Sequence, residues 1–191
     1  AFAMTNAEAP FLRACRREKT AFTPIWLMRQ AGRYLPEYRA LRAKHDFLTL
    51  CKTPAAATEV TLQPIERLGV DAAILFADIL LVLEPLGVGL EFTRGEGPRI
   101  ARPVRSAEDV SRLAPVDVPS SVGFVFETVR LVCKALADRV PLVGFAGAPF
   151  TLASYAIEGG GSRDYHHTKA LMFSDEGAWN ALMDRMSRAI A

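Results

Sequence analysis

A nearly continuous apolar run at residues 70–77 limits the folds open to this chain more than any other feature. An apolar run of strand length, without polar alternation, is typical of a parallel strand that is covered on both faces. Residues 140–145 form a second run of the same kind. Helical stretches lie between the two runs, so the pattern predicts an α/β protein with a mostly parallel sheet.

Proline, glycine and capping residues mark the helices around these runs. Thr53 and Pro54 predict a helix start, Pro64 a kink in that helix, and Gly69 its end. The other predicted elements carry similar signals: a short amphipathic piece from Asn6 to about Thr20, a strand beginning at Ile25, a helix from Pro36, a β-hairpin over residues 86–102, a helix from Ser106 through Leu113, a linker from Pro115 to Pro119, a helix from Ser121 through Leu136, and a last helix from Ser174.

The order of strands and helices fits a (β/α)8 TIM-type barrel. Such barrels take about 250 residues, whereas this chain has 191. We therefore expect residues 1–191 to be the N-terminal portion, about half, of a single barrel domain, with residues 1–3 an expression scar. Because half a barrel leaves sheet edges uncovered, we expect the isolated chain to associate and to be poorly active.

Composition excludes several classes of protein. Half of the residues are hydrophobic and the net charge is +2, too small a charge to indicate a nucleic-acid partner. Cys15, Cys51 and Cys133 lie far apart and show no zinc-binding spacing, which favours reduced thiols in the cytoplasm. No apolar run reaches the roughly 18 residues of a membrane span.

The most chemically specific stretch is residues 24–34, which reads Pro-Ile-Trp-Leu-Met-Arg-Gln-Ala-Gly-Arg-Tyr. Its apolar part predicts a buried strand, and Arg29 and Arg33 follow four residues apart. Two guanidinium forks at this spacing can bind two anionic groups of one ligand, and Gly32 allows a ligand to approach the backbone. The alternative is a pair of arginines bound to carboxylates of a neighbouring helix, and the spacing alone does not decide between them.

Asp78 ends the first apolar run. Catalytic groups of barrels and open α/β sheets lie at the carboxyl ends of strands, so this acid is a candidate site residue. The alternative is a helix cap or loop carboxylate.

A second distinctive stretch, residues 144–155, follows the other apolar run. Gly144 and Gly147 fit a backbone that a flat ligand approaches closely, and Tyr155 offers a phenol that can donate to a carboxylate. The glycines at 159–161 predict a lid over the site. His166 and His167 are interpreted as surface residues.

Three segments together resemble the uroporphyrinogen decarboxylase family. They are residues 24–33, the sequence Phe-Ala-Asp-Ile-Leu around Asp78, and Gly-Phe-Ala-Gly-Ala-Pro-Phe-Thr-Leu from Gly144. The resemblance implies a barrel enzyme, a carboxy-lyase of porphyrin and haem biosynthesis. It would remove the four acetate carboxyls of uroporphyrinogen III to give coproporphyrinogen III without metal or organic cofactor. It also implies a tetrapyrrole as substrate, a cytoplasmic homodimer, and a further serine and histidine outside these residues.

The same resemblance implies which residues form the site. Asp78 would face the pyrrole N–H groups and counter positive charge in the ring, and Arg29 and Arg33 would hold acidic side chains; these three are the catalytic candidates. The substrate-binding candidates are Arg29, Gln30, Ala31, Gly32, Arg33, Asp78 and Tyr155.

Two alternatives remain open at this point. One is a non-catalytic tetrapyrrole-binding protein that uses the same arginines. The other is a corrinoid methyltransferase relative on the same barrel, which would need a zinc-binding set of histidine and cysteine residues.

Overall fold

A computed structural model describes residues 9–31, 34–93 and 97–191. These residues form two compact units. The first combines the chain up to residue 77 with residues 124–145, and the second combines residues 78–123 with residues 146–191.

Short strands and longer helices alternate along the described chain. The helices are α1 (Pro10–Cys15), α2 (Pro36–Lys44), α3 (Phe47–Lys52), α4 (Pro54–Leu68), α5 (Ala107–Arg112), α6 (Val118–Ser121), α7 (Gly123–Leu136), α8 (Pro149–Glu158), α9 (His166–Ser174) and α10 (Glu176–Ile190), with a 3-10 turn at Leu81–Leu83. The strands are β1 (Ala73–Ile74), β2 (Leu90–Thr93), β3 (Gly97–Ile100) and β4 (Leu142–Val143).

In the first unit, the two apolar runs pair as parallel strands. Ala73 of β1 lies opposite Leu142 of β4, and Ile74 lies opposite Val143. Both strands are shorter than the runs that predicted them. The chain after β1 still bonds to its surroundings, because Leu75 donates its N–H to the Val143 carbonyl at 3.0 Å. The predicted parallel strands are therefore confirmed, with a shorter regular ladder.

Helix α4 covers β1 in the first unit. It starts at Pro54 and ends at Gly69, whose φ of 62° closes the helix in the left-handed conformation. Both ends were predicted from the sequence. The buried core beside it joins α4, β1 and α7 through Ile65, Val70, Ala73, Val132 and Leu136.

The second unit contains the predicted hairpin. β2 and β3 pair antiparallel with Leu90 opposite Ile100. Its turn was predicted at residues 95–97, of which 95 and 96 lie outside the described part of the chain and Gly97 begins β3. The Ile100 N–H also donates to the carbonyl of Gly159 at 2.9 Å, which ties the hairpin to the end of α8.

The predictions for the helices that follow the hairpin agree with the structure in part. Ser106 caps α5 by accepting a hydrogen bond from the Asp109 N–H, as expected for a capping box. The helix predicted from Ser121 through Leu136 is confirmed with a later start: α7 begins at Gly123 and ends at Leu136 as predicted, and a separate short helix, α6, ends at Ser121. Pro119 at the start of α6 explains the difference, since proline favours the first turn of a helix and here begins one inside the predicted linker.

Helix α1 is shorter than the amphipathic piece predicted for this region. It ends at Cys15, and Arg17 has a φ of 63°, which cannot continue a right-handed helix. Cys15 is exposed, although its predicted direction was inward. In the described part of the chain, no helix is long and apolar enough to cross a membrane.

Candidate functional site

The segment around Ile25 is not the buried strand that its apolar residues predicted. It has no regular secondary structure, and its large side chains are exposed, with Trp26 at 42% and Met28 at 82%. Its backbone instead bonds to Asp71. The Ile25 N–H donates to the Asp71 carboxylate at 2.8 Å, and the Asp71 N–H donates back to the Ile25 carbonyl at 2.8 Å. Ile25 thus bonds to the carboxylate and to the backbone N–H of Asp71, and not to a neighbouring strand.

Gln30 is the most buried residue of this segment, at 1% exposure. Its side-chain oxygen accepts a hydrogen bond from the Leu27 N–H at 3.0 Å, and its amide nitrogen donates to the Ala72 carbonyl at 2.8 Å. Its backbone N–H closes a turn on the Leu27 carbonyl at 2.9 Å. The side chain was predicted to bind substrate. Its amide is occupied by protein groups here, and a direct substrate contact stays a prediction.

Arg29 lies inside this turn in a left-handed backbone conformation, with φ of 60°. For a residue with a side chain, this conformation costs about 1–2 kcal/mol and persists only when its surroundings enforce it. The Arg29 side chain is exposed. Within residues 9–31, 34–93 and 97–191, none of the ion pairs involves its guanidinium. The salt-bridge alternative therefore finds no support at Arg29.

The other residues of the arginine stretch are only partly described. Ala31 is half-buried at the end of the turn. Gly32 and Arg33, a predicted close-approach point and a predicted carboxylate ligand, lie outside the described residues.

Asp78 follows β1 and is half-buried. Its Oδ1 accepts a hydrogen bond from the Leu80 N–H at 2.9 Å, and its carbonyl accepts one from the Leu81 N–H at 3.3 Å. These bonds open the 3-10 turn at Leu81–Leu83. Asp78 therefore has the local capping role that the sequence left open as an alternative, and its role at a substrate stays a prediction.

Tyr155 lines a small open cavity of about 120 Å³ in the second unit. Much of the lining carries hydroxyl groups. The Ser154 hydroxyl donates to the Phe150 carbonyl at 2.8 Å, and the Ser162 hydroxyl accepts from the Tyr165 N–H at 3.1 Å. A cavity of this volume can hold a carboxylate-sized group, not a tetrapyrrole ring. Its lining residues are Phe150, Thr151, Ser154, Tyr155, Gly160, Gly161, Ser162 and Tyr165.

The glycines predicted to form a lid begin as a fixed turn. Gly159 ends α8 with a φ of 89°, and Gly160 forms a bridge with Arg99 of β3. The start of this loop is thus bound to the hairpin. His166 and His167 are exposed, which confirms their interpretation as surface residues.

The predicted site residues fall in both units. Arg29, Gln30 and Ala31 belong to the first unit, and Asp78 and Tyr155 belong to the second. Sequence reasoning missed Asp71, whose carboxylate holds the Ile25 backbone. The signal was present in the sequence, since Asp71 is the one charged residue within the apolar run 70–77. In the part of the chain that the structure describes, no group of three or more histidine, cysteine, aspartate or glutamate side chains could hold a metal ion.

Comparisons with known proteins agree with the sequence motifs. Residues 6–191 match the family described as uroporphyrinogen decarboxylase (URO-D). The chain is 58% identical over 180 residues to a uroporphyrinogen decarboxylase from Sorangium cellulosum, covering 94% of this chain and 51% of that protein. It is 54% identical over 179 residues to one from Carboxydothermus hydrogenoformans, with the same coverage of both chains. The chain thus spans about half the length of these relatives.

The fold also matches a solved structure. A methyltransferase from Methanosarcina mazei superposes with a TM-score of 0.72 at 16% sequence identity, covering 94% of this chain and 52% of that one. This likeness concerns the fold alone, and together with the family match it confirms the predicted α/β fold of about half a (β/α)8 barrel. With its family match over residues 6–191 and 58% identity to a curated relative, this chain belongs to the uroporphyrinogen decarboxylase family.

Proposed function

We propose that the protein is a carboxy-lyase that removes the four acetate carboxyls of uroporphyrinogen III to give coproporphyrinogen III in porphyrin and haem biosynthesis. The observation that carries the proposal is the 58% identity to a uroporphyrinogen decarboxylase across 94% of the chain. Residues 1–191 then form one portion of a single barrel domain.

The proposed reaction needs no metal or organic cofactor, because the pyrrole ring of the substrate itself accepts the electrons of the bond that breaks. Protonation of a pyrrole carbon makes the ring cationic. The electrons of the bond between the acetate methylene and its carboxyl then flow into the ring as carbon dioxide leaves. Protonation of the methylene carbon gives the methyl group, and loss of the proton first added to the ring carbon restores the neutral pyrrole. The protein has to bind carboxylates, stabilise a cation and deliver protons.

Arg29 and Arg33 are proposed to bind the acidic side chains of the substrate. The exposed Arg29 guanidinium, which forms no ion pair with a described residue, is a suitable donor for a carboxylate. Gln30, Ala31 and Gly32 connect the two arginines and complete this binding segment.

Asp78 is proposed to accept hydrogen bonds from the central pyrrole N–H groups and to counter the positive charge that develops in the ring. Its hydrogen bond to the Leu80 N–H supports this role, because it fixes the carboxylate before a substrate arrives. Tyr155, beside the hydroxyl-lined cavity, is proposed to donate to a substrate carboxylate.

The family resemblance also supports a cytoplasmic homodimer as the working form, without nucleic-acid or membrane partners. Cys15, Cys51 and Cys133 form no disulfide with one another, as is usual in a reducing compartment. Nothing in the described structure favours the methyltransferase alternative, since the solved methyltransferase shares the fold at only 16% identity.

The test is decarboxylation of uroporphyrinogen III, measured as carbon dioxide release and as coproporphyrinogen formed. Two proteins are compared: the 191-residue chain, and the same chain fused to the part of the Sorangium cellulosum relative that it does not match. We expect the fusion to release carbon dioxide. Substrate binding by the fusion without carbon dioxide release would support the non-catalytic carrier, and absence of both would contradict the proposal.

A further inference from the structure

The backbone on either side of Arg29 is held by hydrogen bonds that lie outside any helix or strand ladder. On one side of it, Ile25 bonds to Asp71 through its N–H and its carbonyl. On the other, Gln30 bonds to Ala72 and to the Leu27 N–H. Asp71 and Ala72 directly precede β1, so both attachments fix this exposed segment to the start of a buried strand.

These attachments explain the backbone conformation of Arg29. The Gln30 N–H closes a turn on the Leu27 carbonyl, and the Gln30 side chain bonds to the Leu27 N–H. Arg29 lies between these two residues with φ of 60°, which an L residue adopts only under constraint. The buried side chain of Gln30, which bonds to Leu27 within the turn and to Ala72 outside it, supplies this constraint.

Burial alone does not give a glutamine this role. Gln63 of α4 lies in the same unit and is also buried, at 8% exposure. Its amide nitrogen reaches Glu59 at a long 3.4 Å, and its side-chain oxygen has no hydrogen-bond partner among the described residues. Gln63 is therefore a matched control for Gln30 in size, chemistry and burial.

We propose that Gln30 and Asp71 are positioning residues, which hold Arg29 in its strained conformation so that its guanidinium is presented to an anionic group of the ligand. The geometry does not depend on the function proposed above. Only the identity of the ligand, a polycarboxylate tetrapyrrole, rests on the proposed function. Asp71 lies outside the predicted binding segment, and Gln30 acts here through Arg29.

The constraint is tested by a mutant cycle on the chain itself. Glycine adopts positive φ without strain, so Arg29→Gly should melt about 2–4 °C higher than Arg29→Ala. In a Gln30→Met background the turn no longer enforces the conformation, and the gap should fall below about 1 °C. In a Gln63→Met background the difference in melting temperature between Arg29→Gly and Arg29→Ala should persist. An unchanged gap with Gln30→Met would overturn the proposal.

The second measurement is binding of uroporphyrin, a fluorescent octacarboxylate, by the chain. Gln30→Met and Asp71→Ala should each weaken binding about tenfold or more, because they displace the guanidinium, while Gln63→Met should leave it unchanged. Circular dichroism confirms that each variant is folded. Equal binding by folded Gln30→Met and the unmodified chain would contradict positioning. If the unmodified chain and the fusion both fail to bind, the proposed ligand is wrong, and the melting cycle still decides the positioning role.

Discussion

The carboxylate of Glu158 accepts two hydrogen bonds from Thr168, one from its backbone N–H and one from its hydroxyl, each at 2.8 Å. Thr168 lies in the first turn of α9, and the residue before that helix, Tyr165, provides no side-chain cap. Glu158, the last residue of α8, therefore caps the next helix. Burial raises the pKa of Glu158, but the Thr168 hydrogen bonds and the neighbouring His167 outweigh it and hold the pKa below its ordinary value of 4.5.

Replacing Glu158 by alanine should destabilise the chain by about 1 kcal/mol at neutral pH, because α9 loses its cap. Since the pKa of Glu158 is lowered in the folded state, its contribution is complete above pH 4.5 and disappears as pH falls through the folded value. The measurement is the free energy of unfolding in denaturant at neutral and at acidic pH. Glu91→Ala, on the exposed side of β2, is the control. A Glu158→Ala deficit that does not shrink in acid would contradict the charged cap.

Thr61 joins α4 to the segment after β1. Its hydroxyl donates to the Ala57 carbonyl at 2.8 Å and accepts from the Phe76 N–H at 2.9 Å. Thr61→Val keeps the shape of the side chain but leaves the buried Phe76 N–H without a partner, which costs about 1–3 kcal/mol. Thr58→Val in the same helix removes only a bond to the Pro54 carbonyl and should change stability by less than about 0.5 kcal/mol. Equal unfolding free energies for the two variants would contradict this role of Thr61.

The elements that the sequence predicted well depend on residues close together in the chain. The hairpin, the cap of α5 by Ser106 and the end of α4 at Gly69 each follow from local turn and capping chemistry. The strand predicted at Ile25 failed for the opposite reason. Its backbone partner, Asp71, lies 46 residues away, and a pattern of apolar residues does not report a distant carboxylate.

In the candidate site too, the features that depend on neighbouring residues were predicted, and those that depend on distant residues were not. Asp78 was identified from its place at the end of an apolar run, and the structure adds the bond from Leu80 that fixes its carboxylate. The burial of Gln30 could not be predicted, because its amide bonds to Ala72, 42 residues away. Arg29 has a left-handed conformation within the turn that Gln30 closes on Leu27, and no feature of the local sequence indicates it.

The two glycines of the second motif should respond differently to alanine. A Cβ at Gly147 would lie 2.8 Å from the Leu152 side chain, which is fully buried and cannot move freely. Gly147→Ala should therefore destabilise the chain by about 1–3 kcal/mol. A Cβ at Gly144 meets nothing within 4 Å, so Gly144→Ala should preserve stability. If a flat ligand approaches Gly144, the same variant should weaken uroporphyrin binding, and unchanged binding would remove Gly144 from the site.

Arg29→Lys tests whether the guanidinium fork itself is needed. Lysine keeps the charge but loses bidentate binding, so catalytic efficiency of the active fusion should fall by at least about tenfold. Arg17 is a matched control, because it is also exposed and has a φ of 63°. Arg17→Lys should have no effect on efficiency. A kinetically silent Arg29→Lys would show that Arg29 does not hold a carboxylate through its fork.

Asp78→Asn is the variant for which we expect the largest effect on turnover. Asparagine retains an oxygen for the Leu80 N–H, so the turn after β1 and the fold should survive. The change removes the negative charge that would face a ring that becomes cationic only during the reaction. Loss of a preorganised electrostatic group of this kind lowers turnover by about a hundredfold to a thousandfold.

Single-turnover decarboxylation by the active fusion measures this effect, with a thermal melt to confirm folding. Asp117→Asn is the control, because the Asp117 carboxylate also has a local role, accepting from the Ser120 hydroxyl at 2.6 Å. Asp78→Glu separates two causes: it should retain more activity than Asp78→Asn if charge dominates, and less if the position of the carboxylate dominates. Near-normal turnover by a folded Asp78→Asn variant would remove Asp78 from the mechanism and leave it a structural role at the turn, because the bond from the Leu80 N–H needs an acceptor oxygen and no charge.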